Sequence, residues 1–189
     1  MSEHDFPRSR IAVPRQSSLR GAIEWVGVVA GALLIAVVVK TFLIQAFYIP
    51  SLSMAPTLKV DDRVLVNKLS NRFGEVERGD VLVFRGPGGE GDKDLIKRAV
   101  GLPGDVVEVR DGKVFINGQS LVEPYLPQGV RSDALTQTSR WVVGPDEYFM
   151  MGDNRGNSRD SRFFAPIDGS LVIGKAFVKV WPLTDFSLL

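Results

Sequence analysis

The chain has 189 residues and a mass of 20.8 kDa, enough for one compact domain of ordinary size and one short additional segment. Its formal net charge of +1 gives no overall field that would point to a nucleic-acid partner. The absence of cysteine excludes disulfides, thiolate nucleophiles and cysteine metal sites, and the one histidine, His4, lies in a polar N-terminal tail, which argues against a histidine-based triad or a histidine-ligated metal. A hydrolytic base would have to be a lysine or a carboxylate.

In chain order, residues 1–21 are polar, rich in Arg, Pro and Ser, and predict a tail. From Ala22 to Val39 the only charge is Glu24, near the start. As a helix this stretch reaches about 27 Å, just enough for the hydrocarbon core of a bilayer. Apolar character resumes after Lys40 with Phe42, Leu43, Ile44, Phe47, Tyr48 and Ile49, so a transmembrane anchor is expected over 22–46, with Lys40 reaching the interface and Phe42, Phe47 and Tyr48 at headgroup depth. Arg8, Arg10, Arg15 and Arg20 precede the anchor, whereas only Lys40 and Lys59 follow it closely. By the positive-inside rule the tail is cytoplasmic and the remainder extracytoplasmic. No pair of small residues two apart follows the apolar run, so the anchor is expected to remain uncleaved.

From residue 47 to 189 short runs of Val, Ile, Phe and Leu alternate with Gly, Pro, Asn and Asp, which predicts a β-rich domain. The expected strands are Asp62–Asn67, Asp80–Arg85, Asp94–Val100, Val106–Arg110, Lys113–Ile116 and Ala176–Trp181, with Asp111-Gly112 as a two-residue hairpin turn. Residues 111–140 are more polar and turn-rich and read as a small appended lobe. The expected fold class is mainly β: a single N-terminal transmembrane helix followed by a β-rich domain of antiparallel sheets with the small appended β lobe.

Three segments carry candidate chemistry. The first, Ile49-Pro50-Ser51-Leu52-Ser53-Met54-Ala55-Pro56-Thr57-Leu58, sets two serines two apart between prolines that disfavour helix. One serine could be a nucleophile and the other an oxyanion donor; alternatively the stretch is a Ser/Pro-rich linker, although Ile49, Leu52, Met54 and Leu58 are unusually apolar for one. The second is Asp94–Asp105. As a strand it sets Lys97 on one face with Leu95 and Ala99. A lysine held among apolar groups loses its proton readily and can serve as a base toward a serine hydroxyl; the alternative is a lysine whose head escapes a half-buried strand to water. The third, Met151–Arg162, follows apolar Tyr148-Phe149-Met150 and is dense in Asp, Asn, Arg and Ser. It is either a solvated turn or a loop fixed by its own hydrogen bonds, with Asp160 and Arg162 as a candidate pair and a hydroxyl to orient the lysine.

Taken together and in this order after one apolar segment, the three segments resemble the type I signal peptidase family. Pro50–Leu58 look like its serine box, Lys97–Asp105 its lysine box and Gly152–Arg162 its C-terminal box. The resemblance implies Ser53 as nucleophile and Lys97 as general base. It implies an oxyanion hole formed by the Ser51 hydroxyl and the Ser53 backbone N–H, Ser158 as hydrogen-bond partner of the lysine, and Asp160 with Arg162 as a structural ion pair. It further implies secretory preproteins cut after small residues (Ala-X-Ala) as substrates, the bilayer as partner, no cofactor, no metal and no nucleic acid. Leu52 stands where many members carry Gly, and Gly156 where many carry Asp, departures expected to affect substrate preference or loop stiffness rather than proton transfer. Competing readings are another serine–lysine peptidase, such as a self-cleaving repressor or a pilus-assembly peptidase, and an inactive anchored β-domain that only binds partners.

Overall fold

The structure, a computed structural model, describes residues 18–38, 43–69, 76–87 and 93–189. Contacts divide the chain into residues 1–39 and 40–189. The first unit contributes one helix, α1 (Ser18–Val38), whose side chains from 21 to 37 are all exposed. Of the span expected as an anchor, 22–46, α1 covers residues 22–38 as helix. Val39, Lys40 and Phe42 lie outside the described residues, and Ile44, Gln45 and Ala46 belong to a strand, where they pair with Asn67, Val66 and Leu65. Among the described residues no helix is long and apolar enough to cross a membrane.

Among the described residues the second unit has twelve strands: β1 Ile44–Tyr48, β2 Arg63–Asn67, β3 Val81–Arg85, β4 Asp94–Gly101, β5 Val106–Arg110, β6 Lys113–Ile116, β7 Gln119–Ser120, β8 Arg140–Val142, β9 Glu147–Met151, β10 Ile167–Asp168, β11 Val172–Trp181 and β12 Ser187–Leu188. A large antiparallel sheet runs β1-β2-β11-β3-β4-β9-β10, with β12 on β11, and a second sheet runs β7-β6-β5-β8. β11 alternates buried and half-buried residues along most of its length. Its register shifts against both β2 and β3, the irregularity that lets one long strand bend and serve two partners. The five expected strands that precede residue 120 appear within a residue of their predicted ends; the sixth, Ala176–Trp181, is the second half of β11.

The lobe expected at 111–140 begins earlier. β5, at Val106–Arg110, is the central partner of both β6 and β8, and the lobe closes only with β8 at Val142. Its hairpin turns through Asp111 (φ 55) and Gly112 (φ 74), the double positive φ that a tight two-residue turn requires. The lobe is not separately cored. Val107, Val109, Val114, Ile116 and Trp141 pack in one cluster with Val100, Phe149 and Met151 of the large sheet. A second cluster gathers Ile49, Met54, Leu58, Val64, Val83 and Ile96, and a third Leu82, Phe84, Ala99, Met150 and Ile167. β4 thus sends side chains into all three, Ile96, Val100 and Ala99, which anchors the strand that carries Lys97.

Candidate active site

The Ser/Pro segment is folded structure, not a linker. Its apolar residues explain why: Ile49, Met54 and Leu58 are at most 1% exposed and belong to the core beside Ile96. Removing such side chains from water contributes about 1.5–3 kcal/mol each, enough to pin a short loop. The backbone closes around them. Ile49 N–H donates to Asp62 O (2.9 Å), Asp61 N–H to Ile49 O (3.0 Å), Ala55 N–H to Leu52 O (3.0 Å) and Leu58 N–H to Met54 O (2.9 Å). Ser53 sits in the resulting turn, almost buried, with Ser51 Oγ 3.3 Å from its Oγ.

Lys97 reaches this hydroxyl from β4. Its Nζ donates to Ser53 Oγ at 2.7 Å and to Ile96 O at 3.0 Å, and the residue is 3% exposed. The amine is not at a solvated end of a strand. Burial pushes its pKa down from 10.5 to about 8, while the Asp160 and Asp153 carboxylates nearby pull it back up. The alcohol and the amine are 44 residues apart in sequence and within hydrogen-bond reach in the fold.

Around this pair lies a web of buried ions. Asp160 and Arg162 are both wholly buried and joined by two bonds, Nε to Oδ1 (2.9 Å) and a terminal nitrogen to Oδ2 (2.8 Å). Asp160 also accepts from Gly152 N–H (3.0 Å) and caps the short helix α2 (Ser161–Phe164) through Arg162 N–H. A second pair escapes the sequence reading. Arg98 clasps both oxygens of Asp153, at 2.9 and 2.6 Å, and Thr57 Oγ1 donates to the same carboxylate at 2.6 Å. Asn154 is also new: its N–H donates to Ser53 O (3.0 Å) and its amide nitrogen to Leu52 O (3.1 Å), so one residue fastens both peptides that flank Ser53. Arg98 and Asp153 stand 55 positions apart, a separation no local pattern exposes; the density of Asp, Asn and Arg after β9 was the one available signal.

Ser158 requires a correction. Its Oγ is buried and has no hydrogen-bond partner, so the bond to Lys97 implied by the resemblance is not formed. The Lys97 amine directs its bonds to Ser53 and Ile96 instead. Ser158 is nonetheless at the site: a Cβ added at Gly152 would collide with both its side chain and Ser53 O, so only a glycine at 152 lets the three approach. Leu52 and Gly156, the two departures, are both exposed, and neither bonds the Ser53 or Lys97 side chain.

One edge near the pair is open. β3 accompanies β4 from Asp94 to Arg98, but on the other side β9 pairs only from Arg98 onward, opposite Met151. Among the described residues, positions 94–97 therefore have a strand partner on one side only. No group of three or more potential metal-ligating residues occurs among the described residues.

Comparison with known proteins agrees with this arrangement. The family described as "Signal peptidase, peptidase S26" matches residues 22–181. A probable signal peptidase I-2 from a Synechocystis species is 38% identical over 162 residues, covering 84% of this chain and 72% of that protein. A signal peptidase I from Leptolyngbya laminosa is 36% identical over 191 residues, covering 96% and 92%. A signal peptidase IB from Staphylococcus aureus is 34% identical over 178 residues, covering 87% and 92%. With an alcohol and a buried amine at bonding distance inside the matched region, and with relatives of this identity along nearly its whole length, the chain belongs to the type I signal peptidases, the serine peptidases of family S26.

Proposed function

We propose that this chain is a membrane-held endopeptidase that removes signal peptides from exported preproteins, with Ser53 as nucleophile and Lys97 as general base. The observation that carries the reading is the 2.7 Å contact between a serine hydroxyl and a lysine amine lowered to about 8 by burial. Neutral Lys97 takes the Ser53 proton as Oγ adds to the scissile carbonyl. The Ser51 hydroxyl and the Ser53 N–H receive the oxyanion, one such donor being worth roughly 3 kcal/mol in the transition state. Lys97 returns the proton to the leaving amine, leaving an ester on Ser53. The neutral amine then takes a proton from water, which attacks the ester, and hands that proton back to Oγ as the acid departs. Asp160–Arg162 and Arg98–Asp153 hold the loop on which this geometry depends.

The substrate adds as a strand along the open edge of Asp94–Lys97, where backbone groups await a partner. In an extended segment the first and third residues before the cut face the same way. They are best small, as in Ala-X-Ala, because the core beside that edge is already filled by Ile49 and Ile96. The apolar run begun in α1 holds the enzyme at the membrane, tail inside. Trp25 and Leu34, 72% and 65% exposed, stand for a helix that is apolar all round, a surface that lipid covers better than water.

The test uses the full chain mixed with phospholipid vesicles and a model precursor bearing one Ala-X-Ala site. The protein is expected to float with the vesicles, and N-terminal sequencing of the product is expected to begin directly after the second alanine. Cuts scattered over other sites would contradict the specificity, and protein left in the aqueous fraction would contradict the anchor.

The pH dependence follows from the sign of the Lys97 shift. The reactive form is the free amine, so kcat/KM rises with pH and levels off above the pKa near 8. Below it, activity falls about tenfold per pH unit. A profile flat from about pH 6 to 9 would show that Lys97 is not the base.

A further inference from the structure

The slot beside β4 that would receive a substrate strand ends abruptly. From Arg98 onward it is filled by β9, and β9 leads directly into the loop Gly152–Ser158. A peptide running along 94–97 toward Ser53 cannot continue in the sheet; beyond the scissile bond it must leave across that loop. A groove lies there. Ala55 and Pro56, just past the nucleophile, form one side, Asn154 and Gly156 the floor, and Pro127 and Val130 from the second lobe the far wall. It is continuous with the catalytic turn, because Asn154 N–H is the group bonded to Ser53 O.

The far wall is held in place by three arginines of the catalytic region. Arg155, whose side chain is wholly buried, bonds both carboxylate oxygens of Glu123 as well as Ser132 Oγ and Gly152 O. Arg162 donates to Asp133 O at 3.1 Å. Arg98, while clasping Asp153, lies 4.0 Å from the centre of the Tyr125 ring. Residues 123–133 are thus tied near both ends, at Glu123 and Tyr125 and at Ser132 and Asp133, to arginines that lie beside the Ser53–Lys97 pair.

Gly156 lines the groove. It is exposed, and a Cβ added to it would meet nothing within 4 Å, so the space above it is free for a side chain of the enzyme or of a ligand. The charged residues at the rim, Arg131 and Asp133, pair with each other at 3.6 Å, leaving the groove with little net charge of its own. We propose that this groove is the binding site for the residues that immediately follow the scissile bond, the N-terminus of the released product, and that position 156 sets its charge preference. This rests on the peptidase reading above and adds a determinant of specificity on the far side of the cut.

The experiment compares peptides identical up to the cut and carrying Lys or Asp at the second position after it, with Gly156→Asp and Gly156→Lys enzymes beside the wild type. The ratio of kcat/KM for the Lys peptide to that for the Asp peptide is expected to rise about threefold with Gly156→Asp and fall about threefold with Gly156→Lys, the size of a partly exposed ion pair, and to revert in high salt. A control series places the same charges before the cut, where the ratio should not move. Ratios unchanged in all three enzymes, or changed only for charges before the cut, would overturn the groove while leaving the peptidase reading intact. A wild type that cuts none of the peptides would overturn both.

Discussion

Lys97→Met is expected to give a folded protein that cleaves precursors roughly 10⁴- to 10⁶-fold more slowly, the scale of losing one member of a nucleophile–base pair. Methionine is chosen because it fills the same buried channel without an amine. A 3% exposed apolar side chain costs nothing in desolvation where an ammonium would, so the melting temperature should hold or rise. Ser53→Ala should reach the same floor, and the double variant should be no slower than either single one, since the two groups act as a unit. Lys97→Arg separates base from charge. It keeps a cation within reach of Ser53 but cannot shed its proton at any working pH. If Lys97→Arg retained a tenth of the wild-type rate, the amine would be serving as a fixed charge and the proton route would have to be abandoned.

Asp160→Ala is expected to lower stability by about 3–5 kcal/mol, because it leaves the wholly buried Arg162 guanidinium without its counter-ion. The same change removes the acceptor for Gly152 N–H and the cap of α2, so several bonds fail together. For a domain of this size that amounts to a fall in melting temperature of about 6–20 °C, measurable by circular dichroism in detergent. Arg162→Met alone should cost a similar amount, and the double variant less than the two added, since it buries no lone charge. A melting point within about 2 °C of wild type for Asp160→Ala would mean that Arg162 finds another partner and that the pair is dispensable. Activity measured well below the transition distinguishes the two kinds of variant: Asp160→Ala protein that is still folded should cleave, whereas Lys97→Met should not.

The sequence disclosed strands best where β-branched residues alternated with polar ones. Arg63–Asn67 and Val106–Arg110 were legible for this reason, and the second of them also through its Asp-Gly turn. β9, Glu147–Met151, was passed over as an apolar run leading into a loop, because its inner residues are buried with no alternation to read. β1 was hidden by the span expected as an anchor: Ile44–Tyr48 continues the apolar character of the preceding segment, and only its pairing with β2 distinguishes strand from helix. At the site, Ser53, Lys97 and the Asp160–Arg162 pair were accessible because motif order or short spacing marks them. Asp153, Asn154 and Tyr125 were not, since each acts on a residue more than twenty positions away and none is unusual in a polar loop. The Ser158 bond, implied by likeness alone, is not formed: the Lys97 amine donates to Ser53 and Ile96, and the Ser158 hydroxyl has no partner.

The half-vacant flank of β4 carries a hazard as well as a use. Unsatisfied strand borders invite neighbouring molecules to stack, the first step toward fibrils. Here, among the described residues, the vacancy spans Asp94 to Lys97, closed at one end by β9 and bearing an acidic residue at the other. Fibril-forming segments need roughly six or seven residues without interruption. On this flank, then, a border that could receive one extended segment is too short a template to polymerise with copies of itself.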